Sequence, residues 1–577
     1  MHSIADHVIA TLKASGVHRL YGLAGDSLNG LTDAIRRDGE VDWVHVRHEE
    51  SAAFAAAAEA GLTGELTVCV GSCGPGNLHL INGLFDAQRS RVPVLAIAAQ
   101  IPGAEIGTGY FQETRPQELF RECSVYAEVV GSPESAPRIL EAAMRAAVER
   151  RGVAVVVVPG EVFLAKAPHG TAPAVVRPAR SVVRPDDAAL QEAADLLNAG
   201  RKVTILAGAG AAGAHDDLVR LAGVLKAPVV HALRGKEYVA YDNPYDVGMT
   251  GLLGFASGYK AIEEADTLLM LGTDFPYRQF YPQAAKVIQL DLRGEQIGRR
   301  TRVDLPLVGS VRDTLPALLP LLAGKEDRGH LDGALAHYAR TRRSLDALAV
   351  NDHERTPIHP QFVASTLDRL AGADTVFTTD VGSPVVWAAR YLTFNGRRRL
   401  LGSFNHGTMA CALPHAIGAQ TAFPGRQVVA LSGDGGLTML LGELFTLRQN
   451  RLPVKVVVFN NGSLNFVELE MKAAGIVNFA TDLDNPRLAD VGEAIGLWSR
   501  RVERPGELED ALVGALAHDG PALVEVMTAR QELSVPPTIT AEQAKGFTLY
   551  AIRTVLSGRG GELLDLVSTN VARRILH

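Results

Sequence analysis

Gly433-Asp434-Gly435-Gly436 and, 24 residues after Gly436, Asn460-Asn461 are the residues best suited to chemistry in this chain. Each follows an apolar, β-branched run, at 428–432 and 454–460. Two parallel strands would then present an aspartate and an asparagine at their carboxyl ends, where open α/β sheets bind ligands. Asp434, Asn461 and a backbone carbonyl are hard oxygen donors that suit Mg²⁺, which keeps phosphate oxygens in its shell. The glycines let backbone N–H groups approach a diphosphate, helped by the N-terminus of the following helix. Either motif alone reads as a turn. The pair, each after a strand, reads as a diphosphate site.

The elements that must hold these residues repeat along the chain. Apolar runs of strand length lie at 41–46, 66–70, 92–98 and 153–158, then at 203–206, 228–230, 267–271 and 287–290, and again at 376–379, 428–432, 454–460 and 522–526. Amphipathic stretches such as 4–15 and 51–62 separate them. Continuous rather than alternating apolar strands mark parallel sheets buried on both faces. The expected fold class is α/β, with three doubly wound parallel-sheet domains and a C-terminal helical tail. Their expected bounds are 1–170, 183–330 and 357–530, with 531–577 as the tail. The Pro- and Ala-rich stretch 165–187 reads as a linker.

Composition sets the class. The chain has 577 residues, 57 of them glycine, and a net charge of −7. That excess of negative charge argues against nucleic-acid binding. Four cysteines without a C-x-x-C pattern suit a reducing, cytoplasmic setting. No run reaches the length of a membrane span. Gly208, Gly210 and Gly213 after the 203–206 strand form a G-x-G-x-x-G. The next strand ends in Leu233-Arg234, not in the acid that would hold a ribose, which argues against NAD. In the tail, Leu563, Leu564, Val567, Val571 and Ile575 share a helical face flanked by Arg573 and Arg574. Such a helix either lies in a membrane surface or docks on its own subunit.

G-D-G followed by N-N resembles the thiamine-diphosphate motif of the pyruvate oxidase, acetolactate synthase and pyruvate decarboxylase family, and the resemblance covers nearly the whole chain. It implies that Asp434, Asn461 and the Ser463 carbonyl hold Mg²⁺. Gly433, Gly435 and Gly436 would line the diphosphate of thiamine diphosphate, with Leu464 and Asn465 beside it. Arg47-His48-Glu49-Glu50 resembles the segment whose glutamate bonds the cofactor's aminopyrimidine ring. Aligning the His-Glu pair assigns that role to Glu49, with Glu50 the second candidate. A carboxylate in an apolar pocket would suit this proton shuttle. The Gly74-Pro75-Gly76 turn would face the cofactor. Gly407, Thr408 and Met409 resemble the segment that wedges it into a bent form. Phe111, Gln112, Phe466 and Glu470 would face the substrate.

Arg234, Thr250, Gly251, Leu252, Leu253, Thr273, Asp274, Phe275, Pro276, Tyr277 and Asp291 resemble FAD-contacting segments of pyruvate oxidases. The tail resembles that of bacterial quinone-dependent pyruvate dehydrogenases, although it continues past Asn570 as VARRILH. The implied activity is oxidative decarboxylation of pyruvate to acetate and CO₂, with electrons passing through FAD to a membrane quinone. The implied assembly is a homotetramer on the inner face of the cell membrane, touching phospholipid through the tail. Two alternatives stay open: an acetolactate synthase-like carboligase with structural FAD, and a phosphate-dependent oxidase forming acetyl phosphate.

Overall fold

The computed structural model describes residues 2–350, 356–530, 532, 549–551, 553–554 and 566. Three six-stranded sheets, parallel throughout, follow one another along the chain. Across the first run Asp42–His45, Arg19–Gly22, Thr67–Gly71, Val94–Gln100, Val153–Pro159 and Tyr126–Val129. Across the third run Arg399–Gly402, Val376–Thr379, Val428–Gly433, Lys455–Asn460, Ala522–Met527 and Trp498–Val502. Numbered within each sheet, both have the order 2-1-3-4-6-5. The middle sheet runs Asp246–Met249, Val229–His231, Val203–Ala207, Thr267–Leu271, Lys286–Asp291 and Leu305–Val308. Its order is 3-2-1-4-5-6, that of dinucleotide-binding sheets.

The expected α/β class with three doubly wound parallel sheets is therefore observed. Central strands such as Val153–Pro159 are buried along their whole length, because helices cover both faces. The first and third sheets meet through their helices. Glu49–Thr63 lies on Ala412–Ala422 so closely that a Cβ at Gly418 would overlap the Ala55 carbonyl. Residues 167–186, within the expected linker, carry no helix or strand.

The amphipathic helix expected at 562–576 lies outside the described residues, apart from buried Leu566. The described tail residues touch the third sheet's domain. Glu532 is buried and bonds His359 and Gln361. Arg553 donates to the Gly475 carbonyl at 2.6 Å. Among the described residues no helix is long and apolar enough to cross a membrane.

Candidate active site

In the third sheet Asp434 opens a helix directly after the strand Val428–Gly433. That helix, Asp434–Met439, has only six residues, so local N–H groups matter more here than a macrodipole. The Asp434 carboxylate is buried, and burial raises its pKa to about 6. Its Oδ2 accepts from the Gly462 amide at 3.1 Å and from Asn485 Nδ2 at 2.9 Å. Among the described residues no lysine or arginine pairs with it. A buried carboxylate of that kind fits a divalent cation.

Asn460 closes the next strand and turns inward, donating to Glu525 Oε1 at 2.7 Å. Asn461 instead begins the loop, where its Oδ1 accepts from the Ser463 amide at 3.0 Å. Ser463 and Asn465 are buried beside it, and Asn465 Oδ1 accepts from Ser383 Oγ at 3.0 Å. Gly435 and Gly436 are enclosed. A Cβ at Gly435 would stand 3.0 Å from Leu464, 3.1 Å from Leu483 and 3.3 Å from Met409. One at Gly436 would meet the Asp380 carboxylate, itself buried with its pKa raised to about 6. Gly433 is less confined, its nearest neighbour being Pro384 at 3.7 Å. Only a thin backbone edge is left for a diphosphate to approach.

The first sheet carries the other acid. Glu49 begins the helix Glu49–Thr63, is 5% exposed, and lies beside the loop after Thr67–Gly71. Its Oε1 is 3.0 Å from where a Cβ at Gly76 would stand. Its Oε2 accepts from His79 Nδ1 at 2.9 Å, and His79 stacks on His48 at 4.3 Å. Glu49 thus has an imidazole and a glycine among its neighbours. Glu50 points elsewhere: it accepts from Asn82 Nδ2 at 2.7 Å, and Asn82 also reaches Thr408 Oγ1 at 3.2 Å and His406 at 2.8 Å. Gln112, at φ +64°, packs over Gly74 and accepts from the Cys73 thiol at 3.2 Å. Phe111 beside it is 77% exposed. Gly407, at φ +85°, has open space around its Cα.

The middle sheet brings its candidates to the carboxyl ends of its strands. Thr250 is buried, and its hydroxyl has no hydrogen-bond partner among the described residues. Gly251 follows at φ +100°. Arg234 is partly buried, donates to the Ser90 carbonyl at 3.2 Å, and has no carboxylate partner among the described residues. Asp291 ends its strand and accepts from the Arg293 amide at 3.0 Å, and burial raises its pKa. Thr273 and Phe275 are buried, whereas Leu252 and Pro276 are exposed. The Leu253 carbonyl is taken by Arg390 at 3.1 Å, and Asp274 by Arg300 at 3.2 Å. Gly208 and Gly210 pack against Gly272, where a Cβ on Gly210 would stand 2.6 Å from the Gly272 Cα. Tyr277 is close enough to exposed Glu470 for that charge to add to burial in raising the phenol's pKa. On the helix Asn465–Ala473, Phe466 is partly buried.

His79, Asp380, Asn485 and Glu468 are site neighbours that the sequence reading missed. Only His79 had a signal. Gly76 and Gly83 on one helix mark close contact with Glu49–Thr63, since a Cβ on Gly83 would stand 2.6 Å from Ala53 Cβ.

An acid on one sheet, a buried acid among amide donors on another of the same order, and a sheet of dinucleotide order in the chain between them suit a cofactor-dependent α/β enzyme. Comparison with known proteins narrows the class. Models of thiamine pyrophosphate enzymes match in all three parts: the N-terminal TPP binding domain at 2–119, the central domain at 190–318 and the C-terminal TPP binding domain at 380–526. An uncharacterized 42.6 kDa protein of Pseudomonas amyloderamosa is 62% identical over 61% of this chain and 90% of its own. Pyruvate oxidase of Lactiplantibacillus plantarum is 30% identical over 90% of this chain and 87% of its own. Acetolactate synthase isozyme 2 large subunit of Escherichia coli is 32% identical over 90% and 95%. The chain belongs to the thiamine pyrophosphate enzymes of the pyruvate oxidase and acetolactate synthase family.

Proposed function

We propose that the chain catalyses pyruvate + H₂O + quinone → acetate + CO₂ + quinol, using thiamine diphosphate, Mg²⁺ and FAD. The observation that carries this is the middle sheet. It has dinucleotide order and, among the described residues, a buried Thr250 hydroxyl with no hydrogen-bond partner and a guanidinium at Arg234 with no carboxylate partner. A flavin held there would lie next to the substrate end of the diphosphate half-site, as electron transfer requires. Relatives named pyruvate oxidase and the likeness of the tail to quinone-dependent dehydrogenases give further support.

When bound, thiamine diphosphate supplies an electron sink for decarboxylation and FAD a two-electron acceptor. Asp434, Asn461 and the Ser463 carbonyl would hold Mg²⁺. Gly433, Gly435 and Gly436 would give the diphosphate its backbone edge. Met409 and Leu464, packed at Gly435, would set the cofactor's bend. Glu49 would hold and pass a proton at the aminopyrimidine, oriented by His79 at 2.9 Å. Phe111, Gln112, Phe466 and Glu470 would shape the pyruvate pocket. We assign the two halves of each site to different subunits of a homotetramer, a dimer being the minimum. The tail would bring the assembly to the inner membrane surface and its phospholipid.

The test is anaerobic. Pyruvate should bleach the flavin band stoichiometrically, and a quinone analogue should restore it while acetate forms. A flavin that stays oxidised while acetolactate accumulates would establish the second reading, a carboligase with structural FAD, which relatives named acetolactate synthase equally support.

A further inference from the structure

The loop that follows Asn461 is pinned from behind by a buried carboxylate that lies outside the site described above. Glu468 and Lys472 are fully buried on the helix Asn465–Ala473. Among the described residues Glu468 accepts from Ser463 Oγ at 2.6 Å, Asn478 Nδ2 at 2.7 Å, Lys472 Nζ at 2.8 Å and Arg530 Nε at 3.0 Å. Arg530 also pairs with Asp482, and its carbonyl accepts from Asn465 Nδ2 at 2.5 Å. The same loop is zipped along its backbone. The Leu464 amide donates to Thr481 O at 2.8 Å and the Leu483 amide to Gly462 O at 2.9 Å. That pairing uses the peptide groups on either side of Ser463 and not the Ser463 carbonyl itself.

We infer that Glu468 is a positioning residue for the divalent cation: by fixing the Ser463 hydroxyl it aims the Ser463 carbonyl toward Asp434. The inference rests on the assignment of Asp434, Asn461 and the Ser463 carbonyl as the cation's ligands. Two cations around one carboxylate are a costly way to stabilise a core, since an apolar cluster of the same volume does as well or better. The arrangement is better explained by what it orients. Groups that hold metal ligands in place change metal affinity by about 10–100-fold when removed.

Ser463→Ala isolates the effect. It keeps the backbone carbonyl, cuts the single bond to Glu468, and leaves Lys472, Arg530 and Asn478 on the carboxylate. The probe is Mn²⁺ in the presence of thiamine diphosphate, titrated by electron paramagnetic resonance on the full chain. Ser463→Ala should bind Mn²⁺ about 10-fold more weakly, with the melting temperature of the cofactor-free protein unchanged. Ser463→Thr, which keeps the hydroxyl, should restore the affinity, and Glu468→Gln should lower it with some loss of melting temperature. Wild-type affinity in Ser463→Ala, while Asp434→Ala abolishes binding, would overturn the inference and leave the cation site standing. Wild-type affinity in Asp434→Ala as well would overturn both.

Discussion

The first and third sheets share one strand order and put opposite chemistry at equivalent places. After its second strand the first sheet offers Glu49, whereas the third offers Gly407, Thr408 and Met409. After the third strand come Gly74-Pro75-Gly76 in one and Gly433–Gly436 with Asp434 in the other. After the fourth come Gln112 and Asn461. The first sheet's acid stands beside His79, whose ring stacks on His48. The third sheet's acid is buried among amide donors and, among the described residues, pairs with no lysine or arginine. On the proposed reading, one topology would serve proton transfer at one copy and cation holding at the other. Fold did not decide this; the residues at the strand ends did.

The comparison breaks most sharply at Glu49. Glu49→Gln should lower turnover by about 10²–10⁴-fold, the range for a lost general acid–base group, while Mg²⁺ and thiamine diphosphate binding stay intact in dialysis. Wild-type turnover would remove the first sheet from the chemistry. Gly436→Ala should act on the other copy through packing, because its methyl enters the Asp380 carboxylate. A loss of about 1–3 kcal/mol in urea unfolding is expected. Gly76→Ala meets Glu49 Oε1 only at 3.0 Å and should cost less stability than Gly436→Ala. An equal loss at the two positions would mean that the two loops are equally confined.

At Asp246, which opens the middle sheet's edge strand Asp246–Met249, the expected response is in stability. Burial raises the Asp246 carboxyl from 3.8 to about 7. Between those values the folded chain holds more protons than the unfolded one, so stability falls as pH rises from about 4 to about 7 and then levels off. Asp434 and Asp380, raised to about 6, act in the same direction, so Asp246→Asn should flatten but not abolish that slope in unfolding curves taken at several pH values, and leave turnover unchanged. A slope as steep as in the wild type would take Asp246 out of it. The smallest effect is expected at Phe111. It is 77% exposed, so Phe111→Ala should shift stability by less than about 0.5 kcal/mol while raising KM for pyruvate. An unchanged KM would take Phe111 out of the substrate pocket.

The sequence made central strands legible and most edge strands obscure, the edge strand Asp42–His45, expected at 41–46, being an exception. Val153–Pro159 and Val428–Gly433 are buried on both faces and read as continuous apolar runs. Tyr126–Val129, Asp246–Met249, Leu305–Val308, Arg399–Gly402 and Trp498–Val502 lie at sheet edges, where one side needs no apolar cover, and they escaped notice. Arg19–Gly22 escaped by being only four residues long. The likeness of the first and third sheets was invisible for a related reason: it lives in strand order, which tolerates almost any apolar sequence. Motifs at strand ends were legible because spacing carries their chemistry. Asp380 and Asn485 reach the Asp434 loop only through packing of segments remote in sequence, which local pattern does not encode, and Glu468, five residues after Ser463, reads locally as an ordinary helix charge.

The central claim is that the first and third sheets are complementary halves of one site, each half supplied by a different subunit. Co-expression of differently tagged Glu49→Gln and Asp434→Ala chains, followed by purification of the mixed oligomer, tests it most directly. Each variant alone should be inactive. The mixed dimer should regain about half of the wild-type sites, because one of the two sites at its interface pairs an intact Glu49 with an intact Asp434. A mixed oligomer as inactive as its parents would place both acids of each site in the same subunit and contradict the account.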